Sequence, residues 1–133
     1  MGATNRPYEL DEAVIRRFPK RIMIDLPDAR ARLELIQSLL AQQKHSLSAH
    51  DLRSLADRTD SYSSADLVSL AKEAAMAPIR EVRKERLVDL SVCEIRPLCL
   101  SDFEAALNAV KPSTSDKAMD KLKEFAKRCG QLA

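Results

Sequence analysis

Two adjacent arginines, Arg16 and Arg17, end a short segment of helical spacing near the start of the chain. A guanidinium group is planar, stays charged and presents a fork of N–H donors that fits the oxygens of a phosphate. Upstream, Asn5 carries an amide that can both donate and accept hydrogen bonds. Taken alone, neither feature requires an active site. Arginines in a last helical turn complement the helix dipole, and an asparagine before Arg-Pro favours a turn.

The glycines limit the phosphate chemistry that this sequence can perform. The chain contains only two, Gly2 and Gly130. A phosphate loop of the form G-x-x-x-x-G-K-[ST] and a dinucleotide motif of the form G-x-G-x-x-G both need closely spaced glycines, so neither is present. No Ser/His/Asp arrangement stands out either. Spacing alone therefore indicates a helical interaction domain without an active site.

The cysteines and histidines do not predict a metal site. Cys93, Cys99 and Cys129 form no C-x-x-C pair, and their odd number suits a reducing compartment. His45 and His50 are five residues apart, which is not the spacing that places two side chains on one helix face. We expect no bound metal.

Composition narrows the class of protein further. Of the 133 residues, 45% are apolar and 32% charged, which is typical of a folded domain and not of a disordered tail. A net charge of +2, 4% aromatic residues and the absence of tryptophan give no support for nucleic-acid binding. Neither a membrane-spanning apolar run nor a signal peptide can be read. The expectation is a soluble cytoplasmic protein.

The first elements are a short helix and a strand. Asp11 is placed to cap a helix in which Leu10, Val14 and Phe18 share one stripe. Residues 21–26 alternate as in a strand, and Pro27 ends them. One strand cannot form a sheet, so this edge needs partners that the chain does not supply, and we expect strand pairing or swapped dimers between copies.

The remainder predicts a small bundle of amphipathic helices. Asp28 is placed to cap the first of them, and one helix is expected to run past Pro78 with a kink. The segment VCEIRPLCL is expected to be an extended connector. The other helices begin at capping boxes, predicted at Ser48-x-x-Asp51, Ser63-x-x-Asp66, Ser101-x-x-Glu104 and Ser113-x-x-Asp116.

Several segments together resemble the AAA ATPases. They are, in chain order, GATNRP, ELDEAVIRRF, IDLPDARARLELI, SYSSADLVSLAKEAAMAPIRE and LSDFEAALNAVKPSTS. The residues of these segments are most similar to those of the microtubule-severing (meiotic) branch. Within that branch they resemble the spastin group more than the fidgetin and katanin groups. The resemblance implies a mainly α chain, the C-terminal part of the AAA module. Residues 1–27 would be a remnant of the large α/β domain, 28–112 the helical small (lid) domain and 113–133 a C-terminal helix.

The resemblance also implies roles for single residues. Asn5 would be sensor 1, beside the γ-phosphate and the attacking water. Arg16 and Arg17 would be arginine fingers that reach into the nucleotide site of a neighbouring subunit; which of them is the main finger stays open. Lys20 stands where many members have a further arginine. A lysine lacks the bidentate fork, which puts any phosphate role at that position in doubt.

Four further residues would approach the nucleotide. Ser64 and Ala65 would lie at a helix start facing it, although Ser64 departs from the glycine usual in the family. The serine side chain either crowds the nucleotide or adds a hydrogen bond. Leu35 and Leu39 would face the adenine, with plain core packing as the alternative.

The implied function is that of the C-terminal part of a hexameric ATPase that couples ATP hydrolysis to microtubule severing. ATP and Mg²⁺ would belong to the complete ATPase, and none is expected on these residues alone. Tubulin would be contacted through parts outside this sequence. The location would be cytoplasmic and cytoskeleton-associated, with the nucleus left open as a second one.

Two alternatives remain at this stage. One is a fidgetin- or katanin-like severing ATPase, or a filament-disassembling sorting ATPase of the same branch. The other is a stand-alone helical adaptor, which explains the capped helices equally well but not the GATNRP and RRF segments.

Overall fold

The computed structural model describes residues 1–81 and 95–129. Apart from a 3₁₀ turn at Pro7–Glu9, all the helices and strands named in these ranges are α-helices, which agrees with the predicted mainly α class but not with the predicted strand. No helix in the described part of the chain is long and apolar enough to cross a membrane. The helices are α1 (Glu12–Arg17), α2 (Ala29–Leu40), α3 (Ala49–Arg58), α4 (Ser64–Glu81), α5 (Leu100–Ala109) and α6 (Asp116–Cys129).

The chain divides into two compact units. The smaller joins Met1–Asp25 to the segment from Thr114 onward, and the larger is Leu26–Ser113. In the smaller unit, α6 packs on the 3₁₀ turn. The chain passes between the units twice, after Asp25 and after Ser113.

The larger unit has a closed apolar core. Helix α4 packs on α5 and on α2, and α2 packs on α3. A parallel bridge between His45 and Leu98 joins the loop after α2 to the segment before α5. Burying such side chains is the main driving force for the fold, at roughly 1.5–3 kcal/mol for each large one. The most deeply buried are Leu55, Leu67, Leu70 and Phe103.

The predicted helix starts at Asp11 and Asp28 are confirmed, since each carboxylate accepts a backbone N–H of the first turn. The capping box at Ser48 is formed, with both reciprocal hydrogen bonds present. The box at Ser63 is formed as well: Ser63 N donates to Asp66 Oδ2 at 2.9 Å, and Asp66 N donates to Ser63 Oγ at 3.2 Å. Helix α4 continues through Pro78, as expected.

The predicted third capping box is wrong by two residues. Helix α5 begins at Leu100, and its N-cap is Cys99, whose N–H donates to Asp102 Oδ2 at 2.9 Å. Ser101 therefore lies inside the first turn. The sequence rule favours a hydroxyl residue as the cap, whereas here the buried Asp102 carboxylate fixes the helix start.

The predicted fourth capping box is also wrong. Helix α6 begins at Asp116, and Ser115 caps it by accepting the N–H of Ala118 on Oγ at 3.3 Å. Ser113 instead donates to Asp66, 47 residues away in sequence. A local pattern cannot reveal such a long-range acceptor.

The strand expected at residues 21–26 does not form within the described structure, where only Ile22 is in a bridge. The side chains of Ile22 and Ile24 are 72% and 90% exposed. An alternating apolar segment has strand propensity, but a strand exists only when a neighbour completes its hydrogen bonds. The connector VCEIRPLCL is described only from residue 95 onward.

We predict that Ser61→Gly stabilises the larger unit. Ser61, just after α3, has φ 65°, where a Cβ atom is strained and glycine is not. The gain in the free energy of unfolding is expected to be small, about 0.5 kcal/mol, because glycine also raises the conformational entropy of the unfolded chain. Thermal unfolding measures it. The control is Ser54→Gly inside α3, which should destabilise by about 0.5–1 kcal/mol. Equal losses in both variants would contradict the prediction.

Candidate functional site

Asn5 lies at a bend just before the 3₁₀ turn, and its side chain is exposed. The turn around it is held locally: Arg6 N donates to Thr4 Oγ1 at 3.0 Å, and the Arg6 guanidinium meets Glu9 at 3.2 Å. Among the described residues, the Asn5 amide has no hydrogen-bond partner. It is accordingly free to accept and donate toward another molecule.

Arg16 and Arg17 occupy the last turn of α1. Asp11 fixes the start of this short helix by accepting the N–H of Ala13 at 2.9 Å, and the backbone leaves helical geometry at Phe18. Both arginine side chains are exposed. Within the ranges that the structure covers, neither guanidinium has a hydrogen bond or an ion pair. Two charged forks are therefore presented together at one helix end.

A cavity of about 250 Å³ lies in the same unit between α6 and the N-terminal turn. The Lys121 ammonium is 5.7 Å from the centre of the Tyr8 ring, within range of a cation–π interaction. Besides Tyr8 and Lys121, the cavity is lined by Glu124, Phe125 and Arg128. This packing couples the C-terminal helix to the segment that carries Asn5 and α1.

The other four predicted site residues lie in the larger unit. Leu35 and Leu39 are half-buried on α2, and Leu35 packs against the core. Ser64 and Ala65 are exposed at the start of α4, and α2 packs against that helix. Core packing is thus the observed contact of Leu35. At this helix start the N–H of Asp66 is bonded to Ser63 Oγ, whereas the N–H groups of Ser64 and Ala65 have no hydrogen-bond partner among the described residues. A helix N-terminus is a favourable place for negative charge.

Asp66 organises the start of α4. Its side chain is buried, and Oδ2 accepts from Ser63 N at 2.9 Å, Ser63 Oγ at 2.8 Å, Ser113 N at 3.2 Å and Ser113 Oγ at 3.0 Å. Burial acts to raise the pKa of Asp66, but the hydrogen bonds from Ser63 and Ser113 outweigh it and lower the pKa. The carboxylate is therefore charged at neutral pH. We call Ser63, Asp66 and Ser113 the Asp66 network.

Arg32 is a second buried charge that sequence reasoning missed. Its side chain donates to Ala56 O and to Pro27 O, each at 2.9 Å, and lies 3.4 Å from the exposed carboxylate of Asp60. One signal was available: Arg32 lies four residues before Ile36 on the stripe of α2 that faces the core. An arginine on that stripe must find acceptors inside the protein.

Arg96 forms a third site that was not anticipated. Its guanidinium pairs with Asp102 at 2.8 Å and with Glu81 at the end of α4. Asp102 is only 5% exposed. The Arg96 guanidinium lowers the pKa of Asp102 to about 2, against the opposing effect of burial and helped by hydrogen bonds from Cys99. This ion pair joins the last residue of α4 to the start of α5.

Each unit carries groups whose chemistry suits a nucleotide. In the larger unit, a helix start favours the negative charge of phosphate oxygens, and half-buried aliphatic side chains can contact a base. In the smaller unit, exposed guanidinium forks can contact phosphate oxygens. No group of three or more His, Cys, Asp or Glu side chains that could hold a cation lies among the described residues. The phosphate loop is also missing from the sequence. When bound in a complete ATPase, ATP and Mg²⁺ would supply the transferable phosphoryl group and its charge neutralisation. The contacts of Asn5, Arg16, Arg17 and Ser64 with them stay predictions.

Comparison with known families identifies the class of protein. Residues 49–94 match the AAA+ lid domain, and residues 73–130 match the Vps4 C-terminal oligomerisation domain. The chain belongs to the AAA ATPases, and its matched region consists of the lid and the oligomerisation segment.

Individual relatives narrow the class from the AAA ATPases to the spastin group. The chain is 50% identical over 98% of its length to a probable spastin homolog of Brugia malayi and to the spastin homolog of Caenorhabditis elegans. It is 48% identical over 90% of its length to spastin of Homo sapiens. It covers 29%, 26% and 20% of these proteins, respectively. The predicted resemblance to spastin is confirmed.

Solved structures agree on the fold. The FIGL-1 AAA domain in complex with ADP superimposes with a TM-score of 0.93 at 40% identity, over 98% of this chain and 44% of that one. A structure reporting the basis of katanin self-assembly gives a TM-score of 0.83 at 40% identity, over 94% of this chain and 46% of that one. The predicted fold class is confirmed, whereas the roles of the individual site residues stay predictions.

Proposed function

We propose that this chain forms part of a hexameric AAA ATPase that severs microtubules. In this role Asn5 is sensor 1, Arg16 and Arg17 act on the nucleotide of the neighbouring subunit, and the larger unit is the lid. The observation that carries the proposal is the pair of unpartnered, exposed arginine forks at the end of α1, in a chain half identical to spastin homologs.

The chemistry follows from charge. Transfer of the γ-phosphoryl group spreads negative charge over its oxygens, and a guanidinium fork from a second subunit stabilises that charge without a proton transfer. A finger acts only when subunits associate, so hydrolysis becomes dependent on assembly. Asn5 would orient the attacking water through its amide.

The remaining assignments belong to the same proposal. Residues 1–27 form the end of the large domain, 28–112 the lid and 113–133 the C-terminal helix. Ser64, Ala65, Leu35 and Leu39 border the nucleotide. The match to an oligomerisation domain supports assembly, here proposed as a hexamer. Tubulin as substrate and a cytoskeletal location follow from the spastin likeness. The exposed apolar side chains between Arg21 and Leu26 favour pairing between copies of the isolated chain.

The test uses two proteins. In the first, this chain replaces the corresponding segment of the Caenorhabditis elegans spastin homolog, to which it is 50% identical. We expect ATP hydrolysis that depends on protein concentration and is stimulated by microtubules. The second is the 133-residue chain alone, which should show no saturable ATPase activity because its sequence has no phosphate loop. An inactive chimaera that still binds ATP and assembles would contradict the proposal.

A further inference from the structure

The Asp66 network lies where the chain leaves the larger unit. Ser113 is the last residue of that unit, and Thr114 is the first of the returning segment of the smaller one. Both the N–H and the hydroxyl of Ser113 donate to the Asp66 carboxylate, at 3.2 and 3.0 Å. The exit point is thus held directly by a side chain from the first turn of α4.

A comparison inside the chain shows that capping alone does not explain this arrangement. Asp51 occupies the same capping-box position on α3, accepts from Ser48 and is half-buried. Asp66 is buried and accepts two further hydrogen bonds from Ser113. Burying a carboxylate costs free energy unless it is fully hydrogen-bonded. The additional feature of Asp66 is therefore its hold on the exit segment.

Two neighbouring contacts support this assignment. Tyr62, directly before the capping box of α4, donates from its hydroxyl to Val110 O at 2.6 Å and is itself buried. The place where the chain enters the larger unit, after Asp25, is also held by a buried charged side chain. There Arg32 donates to Pro27 O at 2.9 Å, two residues after Asp25. Each point where the chain enters or leaves the larger unit is thus anchored by a buried charged side chain.

We propose that Asp66 is a positioning residue that fixes the exit of the chain at Ser113 to the start of α4. Any displacement of that helix start is then passed to the segment leading into α6, the helix within the oligomerisation-domain match. The meaning of this link for hydrolysis rests on the proposed function, which places the nucleotide at Ser64. The link between Asp66 and Ser113 itself does not depend on the proposed function.

The test measures amide hydrogen exchange of the 133-residue chain by NMR, without nucleotide. In Ser113→Ala the amide at position 113 should exchange about tenfold faster, as expected when one charge-assisted hydrogen bond is lost and the other weakened. Ser113→Thr restores the hydroxyl and should return the rate to within about twofold of the original. Amides at Leu70 and Phe103, deep in the core, should be unchanged in both variants.

The matched control is Ser48→Ala, which removes the same hydroxyl from the capping box of α3. It should leave the amide at position 113 unchanged. Equal acceleration in Ser48→Ala and Ser113→Ala, or no acceleration in Ser113→Ala, would overturn the proposal. Asp66→Asn is a second variant, expected to accelerate position 113 as well. Since no ATP is present, a failure here is distinct from an inactive chimaera, which bears only on the proposed function.

Discussion

In the chimaera, replacing Arg16 and Arg17 together by alanine is expected to lower the ATPase rate by roughly 10³-fold or more, the usual value of a finger supplied in trans. Binding of ATP by the same subunits should be unchanged within about twofold, because a finger contacts the transition state of a neighbour's nucleotide and not its own subunit's ground state. Stopped-flow nucleotide binding and steady-state hydrolysis measure the two quantities separately.

Single variants then separate the two residues. Arg16→Lys and Arg17→Lys keep the charge but lose the bidentate fork, so the main finger is the position at which lysine fails to restore the rate. The control is Arg53→Ala, an exposed arginine on α3 for which the described residues show no ion pair or hydrogen bond. Its rate should stay within about twofold of the parent chimaera. If Arg53→Ala and the double variant lose the same activity, the loss reflects surface charge and the finger assignment is wrong.

Mixing two kinds of subunit tests whether the arginines act on the nucleotide of a neighbouring subunit. Subunits that lack both arginines but bind ATP normally should hydrolyse it when partnered with subunits that carry the arginines and cannot bind nucleotide. Recovery of activity in the mixture supports action in trans. Failure of the mixture to exceed either component would place the arginines in a role within their own subunit.

How far the sequence predicts this structure depends on the range of the interaction. The starts of α1, α2, α3 and α4 follow from Asp11, Asp28, Ser48 and Ser63, because capping is decided within four residues. The start of α5 was placed two residues late because its determinant, Asp102, is fixed by an arginine six residues upstream. A rule for single helix starts does not include such a partner.

The predictions of a strand at residues 21–26 and of a helix cap at Ser113 differ from the structure for the same reason. Residues 21–26 have the pattern of a strand, but strand formation depends on a neighbour that pattern alone does not supply. Ser113 has the pattern of a cap, but a buried carboxylate from α4 holds it. The family was recognised from short segments whose order is itself specific, and the site that it implies stays a prediction. The contacts of Arg32 with Ala56, of Asp66 with Ser113 and of Arg96 with Glu81 were missed because they join different segments of the chain.

The three buried ionised side chains named here also differ in what they connect. Arg32 and Asp66 hold the two crossings, whereas Asp102 holds α5 to α4 through Arg96. Thr59, the other buried polar residue in the described part of the larger unit, uses its hydroxyl only to donate to carbonyls of the adjoining helix α3. Charge is therefore buried at junctions between elements, where its directional hydrogen bonds fix a relative position that apolar packing alone leaves looser.

Replacing Arg96 by methionine is accordingly expected to destabilise the larger unit, and by more than the loss of a solvent-exposed ion pair would, because it leaves the buried Asp102 carboxylate without its counter-charge. Asp102 is 5% exposed, whereas the side chain of Arg96 is 36% exposed, so methionine can occupy the arginine stem without new burial. Urea unfolding followed by circular dichroism measures the change. Arg58→Met is the matched control: it breaks an ion pair with Glu104 in which both partners are about half exposed, and should cost less than about 1 kcal/mol.

The dependence on pH identifies the group responsible. The folded-state pKa of Asp102, about 2, lies below the ordinary value of 3.8. Its contribution to stability is therefore complete above about pH 4 and is lost as the pH falls toward 2, by roughly 2 kcal/mol. In Arg96→Met this loss should shrink, because the carboxylate no longer gains from ionising in the folded state. Asp102→Asn should reduce the acid dependence likewise. An unchanged acid transition in both variants would show that Asp102 does not stabilise the fold through its charge, and would reduce the Arg96 ion pair to a surface contact comparable with that of Arg58.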